Sequence, residues 1–163
     1  MHAADLQTLY DYNYWASARI LDAAARLNQE EFSAPRSLVW GSLRGTLVHA
    51  LGAEIVWRQR CQFGATPSSL PPETDFPTFA DLRTHWQEEA QAMSAFVAGL
   101  SDEQVNGAVR YRNTKGVEFE SILWQILVHV VNHGTQHRAE AAHVLTELGH
   151  SPGDIDLILY LRR

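Results

Sequence analysis

Several features that define other protein classes are scarce or missing in this 163-residue chain. It has one cysteine, Cys61, so it can form neither an internal disulfide nor a cluster of thiolate metal ligands. We interpret Cys61 as a small apolar residue near the end of a helix. Acidic residues outnumber basic ones by 19 to 13, the formal net charge is −6, and no basic cluster offsets it. Such a surface repels phosphate backbones, so we expect no nucleic-acid partner.

Long apolar runs and nucleotide-binding motifs are missing as well. No stretch is long and apolar enough to span a bilayer, and the first residues do not resemble a signal peptide. We therefore expect a cytoplasmic protein with no membrane partner. The chain has no glycine-rich phosphate loop and no Gly-x-Ser-x-Gly motif, and strand patterns do not alternate with helix patterns. An α/β nucleotide-binding fold is therefore disfavoured.

Four long segments instead carry the apolar periodicity of helices. We predict these helices over residues 3–27, 42–63, 79–100 and 120–148, with residues 28–40 and 64–77 as connections. Thr78 is the predicted N-cap of the third helix, and Gly149 ends the fourth. Alternating residues on either side of the turn at 113–116 indicate a short β-hairpin before the fourth helix, and residues 154–161 a short C-terminal helix. The prediction is an all-α four-helix bundle that forms one domain over residues 1–163.

Three of the eight histidines recur at four-residue steps in the fourth predicted helix, at His129, His133 and His137. Each such step drifts only about 40° round the helix axis, so all three lie on one side. Two imidazoles one turn apart can bind one metal ion. Measured from the centre of the apolar stripe, His137 lies about 40° away, His133 about 80° and His129 about 120°. We therefore predict that His133 and His137 face the bundle, that His129 is peripheral and that His143 is exposed.

A pair of histidines needs at least one more protein ligand to hold a metal ion. His49 is the candidate on the second predicted helix, which is apolar on almost every side and therefore largely buried. Glu54 on the same helix is a competing carboxylate ligand, and spacing does not decide between the two. Small residues within about one turn of His49 leave space for another helix or for a ligand. They are Gly45, Gly52 and Ala53.

Other polar and aromatic residues receive structural interpretations. Asn13 falls on the apolar stripe of the first helix, where we favour a hydrogen bond to a neighbouring helix. His85 is predicted to be solvated and without function. Trp40 and Trp86 are candidate exposed aromatic residues for a subunit interface. Three polar residues flank the histidine pair and could hold the free ring nitrogens of metal ligands. They are Asn132, Gln136 and Glu140.

Three segments of the chain resemble motifs of the DinB-like (DinB/YfiT) family of metalloenzymes. The segment His129–Glu140 (HVVNHGTQHRAE) resembles the terminal motif of that family and is the most specific of the three. Tyr12–Ala16 (YNYWA) resembles the opening of its first helix, and Leu43–Ala50 (LRGTLVHA) resembles its second-helix histidine segment. The order and the spacing agree, and the similarity spans nearly the whole chain.

This resemblance implies an up-down-down-up four-helix bundle, often dimeric, with a three-histidine site that is often occupied by nickel or zinc. Carried over residue by residue, the metal ligands are His49, His133 and His137. The chain departs from the family at Ala139 and Glu140, where many members have Gly-Gln after the His-Arg pair. The carboxylate replaces an amide, so no role is carried over to Glu140 from the relatives.

The resemblance also implies a class of function. Relatives include transferases and isomerases that use low-molecular-weight thiols, and some have been proposed as hydrolases. We therefore expect a divalent-metal-binding protein that acts as a small-thiol-dependent S-transferase or isomerase on a small molecule, with the thiol as cosubstrate. A metal-dependent hydrolase and a non-catalytic metal- or ligand-binding bundle stay open as alternatives, since no sequence feature selects one reaction.

Overall fold

The computed structural model describes residues 1–65 and 67–163. Its helices and strands, in chain order, are α1 Ala3–Ala24, α2 Gln29–Ser33, α3 Leu43–Phe63, α4 Phe79–Ala98, α5 Asp102–Val105, β1 Ala108–Arg112, β2 Glu118–Ile122, α6 Leu123–Glu147 and α7 Leu157–Leu161. A short 3₁₀ turn, Glu73–Asp75, lies between α3 and α4. The four long helices α1, α3, α4 and α6 form the predicted bundle. None of the helices in the described ranges is long and apolar enough to cross a membrane.

The first and last of the long helices, α1 and α6, run in the same direction. Tyr10 in the first half of α1 donates a hydrogen bond to the carbonyl of Leu127, which lies near the start of α6. Arg19, further along α1, donates to the carbonyl of Pro152, which lies beyond the end of α6. The later residues of one helix therefore meet the later residues of the other.

The two middle helices, α3 and α4, run in the opposite direction. His49 in the first half of α3 lies beside His137 in the second half of α6, and Trp57 further along α3 lies beside His129 near the start of α6. In α4, Arg83 in the first turns meets Asp22 in the last turn of α1. The up-down-down-up order is therefore confirmed.

The interior of the bundle consists of two apolar clusters. The cluster at one end contains Ile20, Leu43, Leu47, Leu51, Leu82, Trp86 and Leu145. The cluster at the other end contains Leu6, Tyr10, Met93, Val97, Leu123 and Leu127. Burying an aliphatic or aromatic side chain of this size contributes about 1.5–3 kcal/mol, so these clusters supply most of the free energy that holds the helices together. Trp86 is buried, so the prediction of an exposed interface residue there is wrong.

The predicted helix ends agree best with the structure where a capping side chain is present. Thr78 accepts a hydrogen bond from the backbone N–H of Asp81, which confirms it as the N-cap of α4. Ser42 caps α3 in the same way, through the N–H of Gly45. The start predicted for the fourth helix at residue 120 is wrong, because residues 120–122 belong to β2 and α6 begins at Leu123. The first helix ends at Ala24 rather than at residue 27.

The connections contain short elements that the apolar periodicity does not predict. The helix α2 lies within the segment predicted as a connection, and Asn28 caps it in a reciprocal pair of hydrogen bonds with Glu31. The connection predicted over residues 64–77 contains the 3₁₀ turn, and residue 66 of it lies outside the described residues. The C-terminal helix is confirmed but begins at Leu157.

The predicted hairpin is confirmed as the antiparallel pair of β1 and β2. Tyr111 pairs with Phe119, and the two rings stack with centroids 5.8 Å apart. The side chain of Asn113 accepts hydrogen bonds from the backbone N–H groups of Lys115 and Val117, which closes the turn. A hairpin alone is only marginally stable, and this one packs against the bundle through Tyr111 on Trp57 of α3.

Candidate metal centre

Three histidines converge between α3 and α6. Because these helices are antiparallel, His49 of α3 faces the segment of α6 that carries His133 and His137 one turn apart. The Nε2 atom of His133 lies 3.1 Å from Nε2 of His49 and 3.1 Å from Nε2 of His137. The rings of His49 and His137 are nearly perpendicular, with centroids 4.8 Å apart. Three nitrogen atoms from three side chains therefore point into one small space.

This spacing is compatible with a shared metal ion. Zinc binds imidazole nitrogen at about 2.0–2.1 Å in tetrahedral geometry, which places two ligand nitrogens about 3.3 Å apart. The separations of 3.1 Å from His133 are close to that value. One potential ligand atom from each of the three histidines lies within 4.8 Å of the other two. The cluster could therefore hold one metal ion.

The protonation state of the cluster also suits metal binding. Burial, together with the neighbouring His137 and His133, lowers the pKa of His49 from 6.5 to about 4. Burial, with a further contribution from His137 and His129, lowers the pKa of His133 to about 4 as well. Both imidazoles are therefore neutral at pH 7, which is the form that donates a lone pair to a metal.

One of the three flanking polar residues holds a ring nitrogen of the cluster. Glu140 lies one turn beyond His137 on α6, and its carboxylate oxygen is 2.9 Å from Nδ1 of His137. A carboxylate at this position keeps the proton on Nδ1 and leaves Nε2 free to bind a metal. Asn132 and Gln136 are exposed on the outer face of α6, and neither contacts a histidine nitrogen within the described ranges. The sequence suggested all three residues as partners of the ring nitrogens, and in the structure Glu140 is the one that makes this contact.

Trp40 covers His49 from the solvent side. The two rings stack with centroids 3.6 Å apart and an angle of 14° between their planes. Backbone hydrogen bonds from Arg36 to Gly41 and from Gly41 to Leu38 hold the loop that carries Trp40. Trp40 is a candidate interface residue in the sequence, and no local pattern predicts its contact with His49.

The small residues near His49 make room for connecting segments. A Cβ atom at Gly45 would collide with the carbonyl oxygen of Trp40 and lie 2.7 Å from Oε1 of Glu73. A Cβ atom at Gly52 would lie 2.9 Å from Cδ of Pro71. The space left beside α3 is therefore filled by the loop before it and by the segment after it, rather than by another long helix.

Glu54, the competing ligand, does not join the cluster. It is buried in the bundle, where it accepts hydrogen bonds from the Tyr14 hydroxyl at 2.5 Å and from the Asn13 amide at 3.3 Å. Burial raises the pKa of Glu54 to about 7, although both of these hydrogen bonds oppose that change. The structural role predicted for Asn13 is therefore confirmed.

A buried arginine extends this layer of polar side chains. Arg138, which follows His137, donates hydrogen bonds to the side chains of Asn13 and Thr135. A Cβ atom at Gly134 would lie 2.9 Å from Nη1 of Arg138 and 3.1 Å from Oδ1 of Asn13, so glycine there leaves space for the contact. We call Asn13, Glu54 and Arg138 the polar layer. It links α1, α3 and α6 close to the histidine cluster.

The remaining histidines of the sequence analysis lie outside the cluster. His129 is exposed at its edge, with its ring centroid 5.9 Å from that of His133. His143 and His85 are exposed, each beside a glutamate of its own helix, Glu147 and Glu88 respectively. The predicted ranking of the histidines along α6 is therefore confirmed.

Comparison with known proteins identifies the family. The model of the DinB family matches residues 1–163. The chain belongs to the DinB family. A curated relative, Protein DinB of Bacillus subtilis (strain 168), is 24% identical over 159 residues, which cover 94% of this chain and 91% of the relative. The family resemblance stated from three segments of the sequence is therefore confirmed over the full chain.

Two cavities of this DinB-family chain lie beside the hairpin rather than over the three histidines. The larger, of about 640 Å³, is lined by both strands and by Gly64 after α3. The smaller, of about 280 Å³, lies between α3, the hairpin and the start of α6 and includes Trp57 and His129 in its lining. Tyr111 lines both cavities. Because His129 is one turn from His133, the smaller cavity lies next to the histidine cluster.

Proposed function

We propose that His49, His133 and His137 bind one divalent metal ion, zinc or nickel. The observation that carries this proposal is the convergence of three Nε2 atoms, with two separations of 3.1 Å, from helices that are far apart in sequence. The low pKa of His49 and of His133 supports it, because protons do not compete for these nitrogens at neutral pH. Neutral imidazoles suit zinc, nickel, copper and iron, so the choice of zinc or nickel rests on the family.

We further propose that the protein is a metal-dependent enzyme, and in particular a small-thiol-dependent S-transferase or isomerase. The structure describes every histidine, cysteine, aspartate and glutamate of the chain, and no fourth residue of these types joins the three histidines. Structural zinc sites are usually closed by four protein ligands, whereas catalytic sites keep a position open for water or substrate. A metal held there would lower the pKa of a bound thiol or water and polarise a carbonyl group.

The thiol in this proposal is a cosubstrate and not Cys61. Burial raises the pKa of the Cys61 thiol to about 12, so it carries no thiolate at neutral pH. The low-molecular-weight thiols of cells are kept reduced in the cytoplasm, which is the location we propose for the protein. A metal-dependent hydrolase stays as the alternative enzyme, since a metal with an open position can activate water as well as a thiol.

Metal analysis of protein purified without a His-tag tests the site. We expect about one equivalent of metal in the wild type and a large loss in His137→Ala. His143→Ala, which removes an exposed histidine from the same helix, is the matched control and should retain metal. Equal metal content in the wild type and in His137→Ala would show that the three histidines are not the site.

A screen of small thiols against electrophiles tests the reaction. The metal-loaded protein is incubated with each thiol and with chloro-aromatic or maleyl compounds, and loss of free thiol or isomerisation of the electrophile is followed. We expect turnover that requires both metal and thiol and that is lost in His137→Ala. Hydrolysis without thiol would favour the hydrolase, and no metal-dependent turnover across a broad panel would favour a non-catalytic metal-binding bundle.

We also propose that the protein forms a homodimer. Trp40 is partly exposed although it stacks on His49, and the C-terminal helix α7 exposes Ile158 and Leu161. We propose that these exposed apolar side chains lie in the contact between the two subunits. Sedimentation equilibrium should give about twice the chain mass of 18.3 kDa. A single species of monomer mass at high concentration would rule the dimer out.

A further inference from the structure

Aromatic rings from three different elements surround the smaller cavity beside the histidine cluster. Trp57 of α3 is at the centre, with Tyr111 of β1 and His129 of α6 on either side. The ring centroids of Trp57 and Tyr111 are 5.1 Å apart with 72° between their planes, and those of Trp57 and His129 are 5.7 Å apart with 78° between their planes. We call this cavity the aromatic cleft. Its walls offer ring faces and edges against which a flat group can pack.

The size and the remaining lining of the aromatic cleft suit a small planar ligand. Its volume of about 280 Å³ is just below the range of about 300–1,000 Å³ for small-molecule pockets, so it fits one part of a ligand. Ile126 adds an apolar contact, while Ser121 and Gln125 add hydrogen-bonding groups. Apart from His129, none of the residues that line the aromatic cleft has a basic side chain.

A cationic side chain without a counter-ion lies directly against these walls. The guanidinium carbon of Arg60 is 4.8 Å from the ring centroid of Trp57 and 5.8 Å from that of Tyr111. Arg60 is only 6% exposed, and its Nε atom is buried without a hydrogen-bond partner in the described ranges. Burial lowers the pKa of this guanidinium, yet an arginine stays charged at neutral pH.

The missing counter-ion sets Arg60 apart from the other arginines of this region. Arg58 forms two hydrogen bonds with Glu89, Arg110 pairs with Glu120, and Arg112 pairs with Glu118. Every aspartate and glutamate of the chain is described, and none lies within 4.0 Å of the Arg60 guanidinium. A buried charge without a partner is costly, and the contacts with Trp57 and Tyr111 offset only part of that cost.

We propose that the aromatic cleft binds the planar aromatic part of a small-molecule ligand that carries an anionic group, and that Arg60 compensates this negative charge. The rings supply stacking and edge contacts, and the ligand supplies the counter-ion that the chain lacks. Since the rings of His129 and His133 are 5.9 Å apart, a ligand in this cleft lies next to the three histidines. In that respect the inference rests on the proposed function, of which it specifies the substrate class.

A set of three related compounds separates the contributions of the ring and of the charge. The probes are 2-naphthoate, the neutral 2-naphthalenemethanol and the saturated decahydro-2-naphthoate, and binding to the metal-free protein is measured by calorimetry. We expect 2-naphthoate to bind at least tenfold more tightly than either of the other two, because it alone has both a flat ring and a charge.

Variants assign that binding to the aromatic cleft. Arg60→Gln keeps most of the side chain and removes the charge, so we expect at least a tenfold loss of 2-naphthoate affinity and little change for the alcohol. The matched control is Arg163→Gln, because Arg163 also lies over aromatic rings, those of Trp15 and Tyr160, but far along the chain. Equal affinity of the wild type and Arg60→Gln for 2-naphthoate would overturn the proposal, as would equal binding of the three compounds.

A second measurement covers the case in which Arg60→Gln does not fold. In the ¹⁵N-labelled wild type, 2-naphthoate should shift the indole N–H resonance of Trp57, assigned with Trp57→Phe, and leave that of Trp15 unchanged. A shift confined to other tryptophans would overturn the proposal. Because these measurements use metal-free protein, failure of ligand binding leaves the metal site untouched, and loss of metal in His137→Ala is scored separately.

Discussion

The position of a single carboxylate decides how well the histidine cluster is prepared for a metal. Glu140 holds Nδ1 of His137 at 2.9 Å, whereas Nδ1 of His49 is buried without a partner in the described part of the chain. A carboxylate behind a metal-binding imidazole fixes its tautomer and orientation and raises its basicity. The contact between Glu140 and His137 lies within one helix, so its contribution can be tested directly by substitution.

We predict that Glu140→Ala binds zinc about 10- to 100-fold more weakly than the wild type, because His137 loses its anchor. Glu140→Gln should bind with intermediate affinity, since an amide oxygen still accepts the Nδ1 proton without a charge. Competition with a chromophoric chelator gives the dissociation constants. Glu147→Ala is the control, because Glu147 lies beside the exposed His143 on the same helix. Identical affinities for the wild type and Glu140→Ala would contradict the prediction.

At the scale of single residues, the sequence predicted correctly the orientation of side chains that depends on one helix alone. The angular positions of His129, His133 and His137 follow from the helix period alone, and the structure places them in the predicted order. The partner histidine on another helix could be suggested only by elimination and by family resemblance. The stacking of Trp40 on His49 could not be predicted, because it depends on the path of a loop and on the close approach that Gly45 permits.

Among the structural elements, the loop that carries Trp40 packs closely against α3 beside the histidine cluster. We predict that Gly45→Ala destabilises the protein by about 1–3 kcal/mol, because the new methyl group collides with the Trp40 carbonyl and forces the loop away from α3. Urea denaturation followed by fluorescence measures the change. Gly99→Ala is the control, since its Cβ atom would meet only ordinary contacts of 3.5 Å and 3.6 Å.

The pKa of His49 gives a second test of whether Gly45→Ala displaces the loop that carries Trp40. When Trp40 moves away, His49 becomes more exposed, and the burial that lowers its pKa is reduced. NMR titration of metal-free protein should therefore show a higher pKa for His49 in Gly45→Ala than in the wild type. If both the stability and this pKa stay at their wild-type values, the loop is not fitted to α3 as the structure indicates.

The sequence predicted the elements well where a local signal sets their ends. Thr78 is an N-cap that can be predicted from a few neighbouring residues, and Asn28 with Glu31 three residues later is a local capping signal of the same kind. The start of α6 was misplaced for a different reason. Residues 120–122 contain no proline or glycine that would end a helical segment before Leu123, and only their pairing with residues 108–110 of β1 makes them a strand. That pairing is not local, so periodicity alone does not reveal it.

At the scale of the whole molecule, the polar layer couples stability to pH. Asn13 and Arg138 connect Glu54 of α3 to α1 and α6, in the interior between the two apolar clusters. The sequence marked Asn13 as a buried polar residue and Glu54 as a possible ligand, but it could not show that they bind each other. Their contact depends on three helices packing in one arrangement. Because Glu54 is buried, its protonation differs between the folded and unfolded states.

The sign of the pH effect follows from that difference. The pKa of Glu54 is about 7 in the folded protein and about 4.5 in the unfolded chain, so the folded state holds an extra proton between these values. The free energy of unfolding contributed by Glu54 therefore falls as the pH rises from about 4.5 to 7 and is constant above that range. His49 and His133 have the opposite effect. Because their pKa values are lower in the folded protein than in the unfolded chain, the free energy of unfolding that they contribute falls as the pH falls from 6.5 towards 4.

Substitution of Glu54 separates its contribution from that of the histidines. We predict that the free energy of unfolding of Glu54→Gln, relative to that of the wild type, rises by about 2 kcal/mol from pH 5 to pH 8. The wild type loses this stability as the buried carboxyl of Glu54 ionises, whereas a glutamine forms no charge. The histidine contributions are present in both proteins and cancel in the difference. Urea denaturation at several pH values, with a chelator to remove metal linkage, gives both curves. Glu103→Gln, an exposed change, should run parallel to the wild type. Parallel curves for Glu54→Gln as well would mean that Glu54 is already ionised throughout this range and that the polar layer compensates its charge in full.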